Sequence, residues 1–292
     1  MLLSICHKTV YRYARPVRLR PHRIMTCPRG KYDLKLVKTL LSTSPPASIE
    51  WTQDVFGNLI ATADFSGPTD TLVVDSRVVV EQSATAWPVF AIAPSAHQYP
   101  FAYSNDELVD LGALLVPAEE PGGAVVGQWA RGFLTESRSD TLTLIKAINE
   151  AVHRDVRYRW RDEEGTQSGS ETLEALSGSC RDLATLFVEA MRHLGIAARL
   201  VSGYLFDEGA ADQHGATHAW AEVYLPCAGW IPFDSTNARM GSANLVPVAV
   251  GRLIGQVMPI TGSYEGAPDD LVDMRVEVSV NATPPPTYRE AY

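Results

Sequence analysis

The sequence predicts an α+β protein: an antiparallel β module, sandwich or barrel-like, ahead of a unit in which helices come first and strands follow. Three observations carry this. Short apolar or alternating runs punctuated by turn residues fill roughly the first 85 positions. Helical periodicity takes over from about position 125 to Gly195. Beyond Ala198 the period returns to two, so strands and helices are segregated along the chain rather than alternating.

In the first module Tyr32, Leu34 and Leu36 alternate with polar neighbours, and apolar runs follow at Leu59-Ile60, Leu72-Val73-Val74 and Val78-Val79-Val80. Ser44-Pro45-Pro46, Phe56-Gly57-Asn58 and Ser66-Gly67-Pro68 are turn signals between them. Several short strands at regular spacing point to a sandwich or barrel. The stretch from about 86 to 123 is rich in Pro, Ala and Gly with little periodicity. The expected division is therefore 1–90 for the β domain, 91–123 for a linker, 124–282 for a second domain and 283–292 for a flexible, proline-containing tail.

In the second domain helical patterns begin near Val125 and at Asp140, a plausible N-cap for the stripe Leu144, Ile145, Ile148, Ala151 and Val152. A loop through Asp162-Glu163-Glu164-Gly165 and a short helix around Leu173–Leu176 come next. A further helix starts at Cys180, with Leu183, Ala184, Phe187, Met191 and Leu194 on one face and Gly195 ending it. Strands are then expected at Ala198–Phe206, Thr217–Leu225, Gly229–Asp234 and Leu271–Val280.

Composition narrows the function classes. The 292 residues are 46% hydrophobic and 20% charged, as in ordinary globular proteins, and suffice for about two domains at ~150 residues each. The net charge of −9 argues against a nucleic-acid or anionic-membrane partner. Arg12, Arg15, Arg18, Arg20, Arg23 and Arg29 form a local basic run, read as a solvated face of early strands or else a partner surface. The cysteines Cys6, Cys27, Cys180 and Cys227 are sparse, which fits a reducing compartment. No secretory leader or membrane span is recognisable, so a cytoplasmic protein is expected. Cys6, His7, His22 and Cys27 are zinc-ligand types without a compact ligand spacing, so neither a metal nor a cofactor is expected.

The chemistry centres on Gly178-Ser179-Cys180-Arg181-Asp182. A lone cysteine is most often a small buried hydrophobe. A thiol on the first turn of a helix, however, meets the positive end of the helix dipole, which favours the thiolate. The first-turn N–H groups, lacking intrahelical partners, can also hold an oxyanion. Downstream, a three-residue turn Pro226-Cys227-Ala228 would place Leu225 opposite Gly229 and Trp220 opposite Asp234. His218 would then share Asp234's face as its diagonal neighbour, provided no bulge intervenes. Cys180, His218 and Asp234 are the nucleophile, base and orienting carboxylate of a cysteine triad in this reading. Glu222, on the same face, is the alternative orienting group. Tyr158 and Trp160 lie upstream of the nucleophile and are read as core or loop aromatics.

These stretches, with Ser202-Gly203-Tyr204, Thr217-His218-Ala219-Trp220-Ala221-Glu222-Val223-Tyr224-Leu225 and Gly229-Trp230-Ile231-Pro232-Phe233-Asp234 taken in order, resemble the bacterial transglutaminase-like superfamily of cysteine-protease-type proteins. His7-Lys8-Thr9-Val10-Tyr11-Arg12-Tyr13 is similar to the β domain that precedes its catalytic core. The resemblance implies a papain-like core, the roles just given for Cys180, His218 and Asp234, and a peptide or protein amide as substrate. Two departures stand out. Ser235 replaces a usual proline, and Leu253-Ile254 replace an acidic residue and an aromatic, which unsettles any shared substrate contact there.

Fold and triad imply attack on an amide and a thioester; they leave the acceptor open. Hydrolysis is the favoured expectation, with cross-linking to an amine or a catalytically silent scaffold as the alternatives. The sequence leaves the oligomeric state open.

Overall fold

A computed structural model describes residues 1–86, 88–118, 122–160, 165–206 and 216–283. The expected loop at 162–164 and the tail beyond 283 lie outside the described residues.

The N-terminal region is antiparallel β, as expected. One sheet runs in the order Tyr264–Glu265, Leu2–Leu19, Pro68–Gln82, Leu34–Ser44, with Leu271–Thr283 also paired to Leu2–Leu19. The other runs Ile260–Thr261, His22–Ile24, Leu59–Phe65, Ala47–Gln53. The turns fall at the Pro and Gly clusters named above. Alternation along the first strand sends Leu3, Ile5, His7 and Thr9 to one buried face. That face has two ends. Tyr13, Leu72 and Val74 meet Ile24, Ala61 and Ala63 of the second sheet, whereas Leu3, Ile5, Val78, Val80 and Val280 join the core of the second half of the chain.

The second half is an α/β core. Its antiparallel sheet has the order Arg239–Met240, Gly229–Asp234, Ala216–Leu225, Ala198–Leu205, Leu245–Gly251. The helix Cys180–His193 lies across one face, burying Leu183, Leu186, Phe187, Val188 and Met191, with the Phe187 and Phe233 rings 5.6 Å apart. Full burial of these side chains, at roughly 1.5–3 kcal/mol each, is the main force holding helix to sheet. Helices Gly123–Arg131 and Thr141–Asp155 surround it, the latter capped as expected by Asp140 Oδ1, which accepts from Thr143 N–H at 2.8 Å.

Three placements differ from the sequence reading. Leu245–Gly251 is a fully buried strand that Pro247 disguised; the proline sits at a register shift on an edge strand, where its missing N–H costs no ladder bond. The stretch 91–123, expected as a linker, contains the capped helix Asn105–Leu111 and buries Tyr103, Leu111 and Leu114. Leu271–Thr283, grouped by sequence with the second domain, pairs along most of the first strand of the chain.

The face of the core sheet away from the helix Cys180–His193 is covered by N-terminal loops. Asn58, fully buried, donates from Nδ2 to Val250 O at 2.7 Å and accepts from Val250 N–H at 2.9 Å. Its Oδ1 also accepts from Arg29 Nη1 at 2.6 Å. Replacing Asn58 by Ala strips both Val250 backbone groups of their partner without readmitting water. The expected loss is on the order of 3 kcal/mol, read as a lower urea midpoint at unchanged slope. A loss below about 1 kcal/mol would mean that this contact does not fasten the two halves.

Candidate active site

The start of the Cys180 helix is built by its neighbours. A side chain on Gly178 would place its Cβ 2.7 Å from Asp182 Cβ, so glycine is what allows the Asp182 side chain to fold back over the helix N-terminus. The buried Asp182 carboxylate accepts from Ser179 N–H at 2.7 Å, Ser179 Oγ–H at 2.8 Å and Gln167 N–H at 2.7 Å. An anion at a helix N-terminus is favourable, and here it ties the loop before the helix to its first turn. Cys180 is the first helical residue and is partly solvent-accessible, while Cys27 is buried and Cys6 and Cys227 are exposed. Burial pushes the Cys27 thiol up, against a hydrogen bond with Thr39.

The hairpin has the expected register, with Leu225 opposite Gly229 and Ala221 opposite Phe233. His218 Nε2–H donates to Asp234 Oδ2 at 2.9 Å. That leaves Nδ1 for the Cys180 thiol, which is near enough to influence the ring's proton affinity. Burial alone lowers the imidazole's pKa; the hydrogen bond with Asp234, the neighbouring thiol and the negative charge of both outweigh it and raise it to about 10. Asp234 shows the mirror effect. Its burial favours the neutral acid, but His218 and Asn237 hold it below the ordinary carboxylate range.

Sequence reasoning missed the groups that hold this pair. Asn237 donates from Nδ2 to Asp234 Oδ2 at 2.7 Å, and the N–H groups of Thr236 and Asn237 donate to Oδ1 at 3.0 and 3.3 Å. An aspartate followed by Ser235-Thr236-Asn237 is a turn signal that could have suggested them. Ser235, buried, donates to Asn149 Oδ1 at 2.8 Å and so ties the turn to the helix Thr141–Asp155. The Trp220 ring stacks on His218 at 6.1 Å between centroids. Gly203 makes room for it, since a Cβ there would lie 2.8 Å from Trp220 Cη2 and still nearer to Val246 O.

The other candidates fall elsewhere. Glu222 is fully buried and engaged with Lys31 Nζ at 2.6 Å and Arg199 at 2.7–2.8 Å, and Arg199 in turn lies 4.1 Å over the Trp230 ring. This ion cluster binds the N-terminal region to the sheet. Tyr158 and Trp160 are not core residues, being 45% and 61% exposed. Tyr158 pairs in register with Gly178 and is near enough to Cys180 to feel its charge, which adds to burial in pushing the phenol up to about 12, against Arg181. Among the described residues no three His, Cys, Asp or Glu side chains converge as a metal-ligand set. His7 contacts Tyr204 and Thr9, and His22 contacts the Arg20 carbonyl.

A cysteine at a helix start, beside a strand histidine that an aspartate holds, on an antiparallel sheet behind a β module, defines a class. Residues 127–235 match the transglutaminase-like superfamily, and residues 3–81 match the bacterial transglutaminase-like N-terminal region. The chain is thus a transglutaminase-like superfamily core joined to a bacterial transglutaminase-like N-terminal region. Uncharacterized protein Rv2569c of Mycobacterium tuberculosis is 26% identical over 293 residues, covering 94% of this chain and 91% of its own. An uncharacterized protein of Mycobacterium leprae is 26% identical over 297 residues, covering 95% of this chain and 98% of its own. The crystal structure of a "putative cysteine protease" from Cytophaga hutchinsonii shares the fold, with a TM-score of 0.75 at 20% identity over 97% of this chain and 92% of that one. No helix among the described residues is long and apolar enough to cross a membrane.

Two of the buried histidines, His7 and His218, should titrate in opposite directions. His218, raised to about 10, should remain charged through neutral pH; the stability it contributes is fully present below its unfolded value and lost as pH rises through about 10. His7, lowered to about 4 by burial, should be neutral at pH 7, and its contribution is lost as pH falls from its unfolded value through about 4. Ring NMR titration, assigned with His7→Gln and His218→Gln variants, would read both. A His218 ring titrating near the ordinary ~6.5 would contradict the coupling to Asp234 and Cys180.

Proposed function

We propose that the protein is a cysteine-dependent amide hydrolase acting on peptide or glutamine-type amides through a thioester. The observation that carries this is His218, held by Asp234 through a 2.9 Å hydrogen bond and near enough to the helix-start Cys180 that both neighbours raise the imidazole's proton affinity. An imidazolium beside sulfur is the partner that a thiolate nucleophile needs.

In this reading the Cys180 thiolate attacks the amide carbon and forms a C–S bond. The carbonyl oxygen takes the negative charge and faces the backbone N–H groups of the helix start. Tyr158, beside the nucleophile, is the candidate for a second donor. As the C–N bond breaks, the proton on His218 Nδ1 goes to the leaving amine. Neutral His218 then takes a proton from water as that water attacks the thioester, and the carboxylic acid leaves with the thiolate restored. Asp234 keeps Nε2 protonated, so that Nδ1 is the nitrogen that exchanges protons with substrate. The solvent accessibility of Cys180 supports water as the acceptor. Four unpaired cysteines fit action in a reducing compartment such as the cytoplasm.

Intact-mass measurement with a panel of peptide-amide and glutamine substrates, with and without a primary amine, tests the reading. Hydrolysis predicts an acyl-enzyme resolved to a carboxylic acid in both conditions. Incorporation of the amine would identify a transglutaminase, and absence of any acyl adduct would favour a silent scaffold.

The residues should separate kinetically. Cys180→Ala and His218→Ala should each cost at least ~10³-fold in turnover, and the double variant little more, because the two act as a unit. Asp234→Asn should retain the fold with residual activity and a lower His218 pKa. Glu222→Gln should lower the urea midpoint and leave turnover within about threefold, as expected of a group spent in the Lys31–Arg199 cluster. The opposite ranking of the last two would make Glu222 the orienting group. Turnover should also survive EDTA; inactivation by chelator with recovery on adding zinc would overturn a thiol-only mechanism.

A further inference from the structure

The strand Leu271–Thr283 is an edge. It pairs Leu2–Leu19 alone, leaving its other row of backbone N–H and C=O groups without a strand among the described residues. Natural edges carry blocking devices: lysine, proline or a bulge. The opposite edge of the same sheet, Leu34–Ser44, has Lys35, Lys38 and a register shift between Leu36 and Lys38. Leu271–Thr283 has neither lysine nor proline. Its one irregularity is at Val272, because Arg12 pairs Asp273 while Tyr13 pairs Leu271; from Asp273 onward the register is unbroken.

The face of this strand that points with the sheet's buried side carries Met274, Val276 and Val278, paired to Tyr11, Thr9 and His7. Met274 and Val276 are nevertheless 50% and 44% exposed, because the second sheet does not reach them. The opposite face carries Asp273, Arg275 and Glu277. The edge is thus amphipathic, with bare backbone groups and charges of both signs.

We infer that this edge pairs antiparallel with the same strand of a second copy, making one continuous sheet across a twofold axis at Val276. The charges select the register. A twofold axis normal to the sheet must pass through a residue, since opposed residues share a face. Centred on Arg275, the pairing sets Arg275 against itself and Asp273 against Glu277. Centred on Glu277, it sets Glu277 against itself. Centred on Met274, it opposes Asp273 to Arg275 but draws the bulged Val272 into the ladder. Centred on Val276, it opposes Arg275 to Glu277 of the partner subunit twice. It also sets Met274 against Val278 and Asp273 against Ser279, all within the regular run. Each Glu277 then lies between Lys8 of its own chain and Arg275 of the partner subunit. Seven residues from each copy, Asp273 to Ser279, span about 20 Å, an ordinary strand length.

The test is sedimentation equilibrium of the full chain over a wide concentration range, with hydrogen exchange at the amides of 273–279. The wild type should dimerise reversibly, and the outward-facing amides of this segment should gain protection with concentration. Arg275→Glu converts two opposite-charge pairs to two like-charge pairs and should weaken the dimer at least ~10-fold. Arg275→Glu with Glu277→Arg restores complementarity and should return the constant to near wild type, which separates the register from any folding defect; urea midpoints control for the latter. A monomer at all concentrations would overturn the inference. So would a dimer indifferent to charge at 275 and 277, or amides protected equally in the monomer, which would mean that the chain's own terminal residues cover the edge.

Discussion

The packing of the Cys180–His193 helix across the strand Ala216–Leu225 is the constraint on which the site depends. The helix is buried along nearly its whole length, so it can neither slide nor roll without opening voids that the interior does not tolerate. Its N-terminus is consequently delivered to one end of the sheet, where His218 stands. The local devices act on that delivered position. Gly178 admits the Asp182 side chain, and Asp182 clamps Ser179 and Gln167, so the first turn presents Cys180 rather than fraying. Dispersion and apolar burial bring the thiol to the imidazole; charge and hydrogen bonds refine the last ångström.

Burial acts on the ionisable groups of this molecule with one sign and is overruled only where a partner is present. His7 and His218 are both almost fully buried, yet one is driven neutral and the other is held charged. His7 is hydrogen-bonded among the described residues to Tyr204 and Thr9, neither of them anionic. His218 has Asp234, which itself stays ionised because Asn237 and the turn amides satisfy its oxygens. Glu222 follows the same rule: with Lys31 and Arg199 against it, a fully buried carboxylate stays charged.

The N-terminal region does more than precede the core. Lys31 reaches Glu222, Asn58 brackets Val250, and Arg29 N–H donates to Pro247 O at 2.8 Å, so the face of the sheet opposite the helix is sealed by its loops. Trp220, which stacks on His218, lies on that face with Val201, Leu245 and Val250. The imidazole is thus supported through the sheet from the β module, while the strand Leu271–Thr283 ties the end of the described chain back to its beginning.

By itself the sequence determined what depends on local pattern. The period of the Cys180 helix, its glycine stop, the Asp140 cap, the turns at Pro and Gly, and the register of the His218–Asp234 hairpin all follow from spacing within some twenty residues. Cys180, His218 and Asp234 were legible as candidates because a three-residue turn fixes face parity and a helix start fixes a thiol's surroundings. Only the tertiary structure decided what depends on contacts between distant segments. Glu222 shares a face with His218 and looked eligible to orient it, but Lys31, nearly two hundred positions away, claims it. Leu245–Gly251 was not expected as a strand, and its edge position is what accommodates Pro247. Tyr158 reads as a core or loop aromatic, and only the parallel pairing with Gly178 sets it beside Cys180. In each case the deciding energy is desolvation or a long-range hydrogen bond, and neither leaves a mark on local periodicity.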